Sequence, residues 1–137
     1  MPEPFDIVQF GPNMFFVGGE IDLATAPRLE QAARSCIETG GPTMFDLSAV
    51  TFIDSTGIRA FISIARALGE RGCVFLHAPQ PRVRRVLEIV RIEDVDNVHV
   101  ESCPNVAFPE AYLEWRPASD LRERFAALRE LTTEGAW

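Results

Sequence analysis

The sequence predicts a mixed α/β domain of about five strands, an opening hairpin followed by parallel crossovers, with helices packed on the sheet and a helical extension at the C-terminus. Three observations predict it. Short apolar runs alternate with amphipathic stripes between residues 44 and 100, two strand-like runs precede the first stripe, and 47% hydrophobic content in 137 residues suits one core better than two.

Residues 5 to 10, with Phe5, Ile7, Val8 and Phe10, and residues 14 to 21 read as strands joined by the turn Gly11-Pro12-Asn13. Leu29, Ala32, Ala33, Cys36 and Ile37 recur at helical spacing with charged residues between them, and Gly40-Gly41-Pro42 ends that helix. Thr25 is positioned to cap it, and Pro27 suits a first turn whose amide has no intrahelical acceptor. Met44 to Leu47, continuing through Val50 to Ile53, is nearly all apolar, as in a central strand covered on both faces. A second helix follows at once, with the stripe Ile58, Phe61, Ile62, Ala65 and Leu68 ending near Gly69 and Gly72. Cys73 to Leu76 is another buried strand, Val83, Val86, Leu87 and Val90 mark a third helix, and Val98 with Val100 a last short strand. Helices between successive strands require crossovers, hence parallel pairing in that part of the sheet.

The domain spans residues 1 to 103, and residues 104 to 137 form the extension, interrupted by Pro104, Pro109 and Pro117. Asp120 and Glu123 have capping-box spacing before the stripe Leu121, Phe125, Leu128, which places a helix near residues 119 to 133.

The formal charge of -7 argues against nucleic acid as a partner, and the absence of lysine excludes P-loop and Schiff-base chemistry. Cys36, Cys73 and Cys103 are odd in number and lack C-x-x-C spacing, and His77 and His99 stand at no zinc-site interval, so neither a metal nor a disulfide framework is expected. Gly18-Gly19 lacks the rest of a dinucleotide fingerprint and reads as a strand or turn feature. Asp22 and Asp46 read as loop or sheet-edge carboxylates, and Arg82, Arg84 and Arg85 as a solvated helix face. The start Met1-Pro2-Glu3-Pro4 carries no leader pattern and no run of about 18 apolar residues occurs, so a cytoplasmic protein away from membranes is expected.

The informative junction is Phe52-Ile53-Asp54-Ser55-Thr56-Gly57-Ile58, where an apolar strand meets an amphipathic helix. Helix-initial amides lack acceptors and carry partial positive charge, so a hydroxyl or an attached phosphate is well placed there. On spacing alone, a structural cap is the favoured reading over a phosphoacceptor.

Resemblance changes that balance. Gly19-Glu20-Ile21-Asp22, Ala24-Thr25-Ala26-Pro27, Phe45-Asp46-Leu47-Ser48, Phe52-Ile53-Asp54-Ser55-Thr56-Gly57 and Arg85-Val86-Leu87-Glu88-Ile89 occur in an order that resembles the STAS family, specifically its anti-sigma factor antagonists. The resemblance implies a phosphorylation-switched binding protein with no catalytic residues or cofactor of its own. In its unphosphorylated form such a protein binds an anti-sigma factor and releases sigma; phosphorylation ends the binding. It further implies Ser55 as acceptor with Thr56 beside it, and Asp22, Asp54, Ser55, Thr56, Gly57 and Arg59 as partner-binding residues. The implied partners are an anti-sigma factor serine kinase that supplies ATP and Mg²⁺ and a phosphoserine phosphatase. The chain departs from the family pattern at Arg91, where a glycine often stands, and in its longer extension after Cys103. Alternatives are a STAS subunit of another assembly, such as a stress-signalling scaffold or transporter-associated regulator, and, from another class, a hydrolase using Ser55 or a small-ligand-binding α/β domain.

Overall fold

A computed structural model of the chain describes residues 5 to 101. The expected extension, its helix near residues 119 to 133, and Cys103 lie outside the described residues.

Strand β1 (Asp6–Gly11) pairs antiparallel with β2 (Met14–Ile21), and α1 (Ala26–Thr39) leads to the long strand β3 (Gly41–Ile53). Helix α2 (Ser55–Leu68), a 3₁₀ turn at Gly69–Arg71, β4 (Gly72–His77), α3 (Pro81–Ile89) and β5 (Val98–Glu101) complete the order. The five strands lie in chain order, and β2 through β5 are parallel, so β3 is central as its apolar sequence requires.

A parallel sheet laid down in one direction with right-handed crossovers puts every crossover helix on the same face. The buried stripes agree: Leu29 of α1, Phe61 of α2 and Val83 of α3 join Phe15, Phe45 and Leu76 in one core cluster. Phe45 ties it together, stacked on Phe15 with ring centroids 5.2 Å apart and meeting Phe61 edge to face at 5.2 Å. Side chains of the opposite strand parity, Val8, Phe10, Met14, Phe16 and Met44, form a second cluster on the other face.

Several expectations are corrected in detail. Ile62 is only half-buried, whereas Ile64, which the stripe omitted, is 1% exposed. Helix α3 stops at Ile89, which leaves Val90 at its C-cap and exposed. Thr25 occupies the N-cap position of α1 without capping it; its hydroxyl instead donates to Glu20 O at 2.8 Å and accepts from Asp22 N at 2.9 Å. Asp46 is no sheet-edge group: it is fully buried in the central strand, where its Oδ1 accepts from the amide and hydroxyl of Ser48 at 2.9 and 2.6 Å. Gly19 does mark a strand irregularity, with φ of 86° beside a register shift in the β2–β3 pairing. Arg91 adopts the left-handed conformation (φ 55°, ψ 51°), which glycine takes without the steric cost that a Cβ brings.

Candidate functional site

The C-terminal ends of β2 and β3 meet the start of α2. Ile21 and Ile53 are register partners, and the Asp54 amide donates to Ile21 O at 3.1 Å, so Asp22 and Asp54 leave adjacent strands side by side. Each carboxylate organises the turn that follows it. Asp22 Oδ1 accepts from the amides of Ala24 and Thr25 at 3.0 and 3.1 Å. Asp54, with extended backbone, is the N-cap of α2: its Oδ1 accepts from Thr56 N at 2.9 Å and Gly57 N at 3.1 Å.

That capping decides the state of the next residue. Ser55 is the first residue of α2 and is exposed, and its hydroxyl makes no hydrogen bond among the described residues. The cap reading therefore applies to Asp54, and Ser55 presents a primary hydroxyl to solvent beside the positive end of the α2 dipole. Thr56 is half-buried. Arg59 is exposed one helical turn beyond Ser55, on the same side of α2.

Gly57 lies beneath this surface rather than on it. It is buried, and an added Cβ would stand 2.7 Å from Ile21 Cγ2 and 2.7 Å from Ile53 Cγ1, so the missing side chain lets α2 start directly against the strand ends. The six residues singled out in the sequence thus gather at one end of the sheet, four in the cap and first turn of α2, Arg59 one turn further along that helix, and Asp22 on the neighbouring loop.

Two residues at this end were not singled out. Leu23, between Asp22 and α1, is 76% exposed, and Phe52, one residue before the end of β3, is 43% exposed. Leu23 follows Asp22 directly and Phe52 stands two residues before Asp54, so the available signal was an apolar side chain close to a motif carboxylate.

Among the described residues, little else competes with this site. An open groove of about 570 Å³ lined by Ala65, Arg66, Gly69, Val95 and Asn97 lies at the opposite end of α2, about 20 Å from Ser55 by helical rise. Asn97 closes that end, its side-chain amide donating to the carbonyls of Ala65, Gly69 and Gly72 at 2.7 to 3.1 Å. Among the described residues, no group of three or more His, Cys, Asp or Glu is arranged to hold a metal ion, and no helix is long and apolar enough to cross a membrane. Burial raises the thiols of Cys36 and Cys73 above the ordinary range, which leaves them weak nucleophiles at neutral pH.

Comparison with known proteins places this geometry in a family. An anti-sigma-B factor antagonist of Listeria monocytogenes is 33% identical over 82 residues, covering 58% of this chain and 72% of that protein. An anti-sigma factor antagonist of Mycobacterium paratuberculosis has a similar solved structure, with a TM-score of 0.60 at 23% identity over 94% of this chain and 97% of that one. The antagonist SpoIIAA, solved in unphosphorylated and phosphorylated forms, matches with TM-scores of 0.57 and 0.53 at 17% and 16% identity, covering 85% and 82% of this chain and 100% of each SpoIIAA chain. The STAS domain model matches residues 6 to 103, most of the sequence, and the chain belongs to the STAS domain family.

Proposed function

We propose that the protein is an anti-sigma factor antagonist of the cytoplasm: unmodified, it binds an anti-sigma factor and so releases sigma, and phosphorylation of Ser55 ends the binding. It acts by association rather than by turnover. The observation that carries the reading is the division of labour at α2, where Asp54 satisfies the helix-initial amides and Ser55 keeps an exposed, uncommitted hydroxyl. Relatives described as anti-sigma-B factor antagonists, and the phosphorylated form of SpoIIAA, support the same assignment.

In the modification step the Ser55 oxygen bonds to the γ-phosphorus of ATP held with Mg²⁺ by the partner kinase. The bond to the β,γ-bridging oxygen breaks, ADP leaves, and the hydroxyl proton passes to a base of the kinase. A phosphoserine phosphatase resets the switch by hydrolysis. Phosphate adds roughly 1.5 to 2 negative charges at neutral pH. In the free protein those charges sit in water at a helix N-terminus; in a complex closed over Ser55 they lose hydration beside the carboxylates of Asp22 and Asp54. Exposed Leu23 and Phe52 supply apolar contact at that surface, and Arg59 a cation within it.

Mapping by mass spectrometry after incubation with the cognate kinase and MgATP tests the assignment. A single phosphate on Ser55, absent from Ser55→Ala, is expected; a phosphate on another residue, or one that persists in Ser55→Ala, overturns it.

A further inference from the structure

Arg59 is the charged side chain at the start of α2 that the cap does not use. It is exposed, and it belongs to neither ion pair found among the described residues, Arg84 with Glu88 and Arg91 with Asp94. Residues four apart on a helix are neighbours, with Cβ atoms about 5 to 6 Å apart, and an acidic group N-terminal to a basic one is the favourable order. Ser55 and Arg59 stand in that relation on α2, both open to solvent. The helix amides that follow Ser55 are already committed: Thr56 N and Gly57 N donate to Asp54 Oδ1 at 2.9 and 3.1 Å, and Ile58 N to Asp54 O at 3.0 Å. A phosphate on Ser55 would reach those amides only by displacing the cap, and the carboxylates of Asp22 and Asp54 repel it. Its counter-charge has to come from a side chain.

We propose, on the reading that Ser55 is the modified residue, that Arg59 is the intramolecular counter-ion of its phosphate, so that modification both adds negative charge to the binding surface and withdraws a cation from it. A guanidinium meets a phosphate through two parallel N–H···O bonds, a geometry that an ammonium does not reproduce. Before modification the Arg59 side chain is uncommitted and can face an acidic group of the anti-sigma factor. Afterwards it faces the phosphate of its own chain. The pair favours the free phosphoprotein, and the complex loses a contact, so both effects act towards release. No movement of the backbone is needed, because the two side chains already share one side of α2.

Phosphorus NMR on the full chain, with phosphoserine genetically encoded at position 55, reads the pair directly. The phosphate dianion gains more from a neighbouring cation than the monoanion does, so Arg59 lowers the second ionisation from its ordinary value of about pH 6. Arg59→Gln is expected to raise that ionisation by about 0.3 relative to the chain with Arg59, and Arg59→Lys to recover part of the difference. Identical titrations with Arg59 and with Arg59→Gln overturn the proposal. Calorimetry against the anti-sigma factor then tests the withdrawal of the cation. Unmodified Arg59→Gln is expected to bind about threefold or more weaker than wild type, and phosphate to cost the variant less affinity than it costs wild type. Equal phosphate effects in the two backgrounds overturn the sharing of Arg59 between partner and phosphate. Because the phosphoserine is built in, the titration decides the pairing whichever residue the kinase modifies; a kinase phosphate mapped to another residue removes the Ser55 reading and leaves the titration result standing.

Discussion

Gly57 sits so close to Ile21 that a Cβ on it would meet the Ile21 Cγ2 at 2.7 Å, with Ile53 Cγ1 at 2.7 Å on its other side. Both isoleucines are almost fully buried, at 0% and 3% exposure, and have no free volume to yield. Gly57→Ala brings a helix-propensity gain of up to about 1 kcal/mol against an overpacking cost of roughly 1 to 3 kcal/mol. The expected outcome is net destabilisation together with a displaced start of α2. A denaturant midpoint at or above wild type would show that α2 can move away from the strand ends at no cost.

Asp54 is expected to matter for stability in a way that Ser55 does not. Its carboxylate serves two amides of α2, and loss of such a cap costs about 0.5 to 2 kcal/mol. Asp54→Ala should lower stability by that amount, whereas Asp54→Ser should restore most of it because a hydroxyl also caps. Urea denaturation of the two variants checks this. Equal losses would place the contribution of Asp54 outside the cap.

The order of elements was legible because strand and helix periods alternate cleanly and the punctuating residues sit where the chain turns, as at Gly11-Pro12-Asn13 and Gly40-Gly41. What was not legible are choices between equivalent groups. Asp54, Ser55 and Thr56 are all capable caps, and only the extended backbone of Asp54 assigns the role to it and frees Ser55. At α1 the same ambiguity ran the other way: Thr25 has the right position, but its hydroxyl binds Glu20 O and Asp22 N instead. The burial of Asp46 was hidden because a carboxylate in an apolar run looks like an edge residue until Ser48, two positions on, turns back to satisfy it.

Arg91 holds a left-handed backbone at φ 55°, a conformation that costs non-glycine residues about 1 kcal/mol or more. Its ion pair with Asp94, 3.1 Å long with both side chains exposed, returns little. Arg91→Gly is therefore expected to be neutral to stabilising, by up to roughly 1 kcal/mol. A clear loss of stability on thermal unfolding would mean that the guanidinium makes contacts worth more than the backbone strain.

Phe61 is fully buried at the centre of the helix-bearing face, edge to face with Phe45. Phe61→Ala removes the ring and leaves a cavity that the sheet cannot fill, at a cost of about 3 to 5 kcal/mol. A loss below about 1 kcal/mol by chemical denaturation would show that the sheet and α2 repack around the gap.

The proposed switch at Ser55 makes the most specific prediction, because the geometry separates charge from capping at neighbouring residues. Ser55 carries no cap, so Ser55→Ala should leave stability within about 0.5 kcal/mol of wild type, the range of an ordinary surface substitution. It adds no charge to the interface, and affinity for the anti-sigma factor should stay close to wild type. Ser55→Asp adds one negative charge beside Asp54. The α2 dipole favours that charge by about 0.3 to 1 kcal/mol, which offsets a like-charge repulsion of about 1 kcal/mol in water, so the free protein stays folded. A partner that closes over the site removes the water but not the repulsion, and binding should weaken selectively. Phosphoserine, with more charge and more acceptor oxygens, should bind weakest. Calorimetric titration of the four forms, with circular dichroism to confirm folding, is expected to give wild type and Ser55→Ala alike, then Ser55→Asp, then the phosphorylated protein. Equal affinities would remove Ser55 from the interface, and weak binding by Ser55→Ala alone would make the hydroxyl, rather than the charge, the group the partner reads.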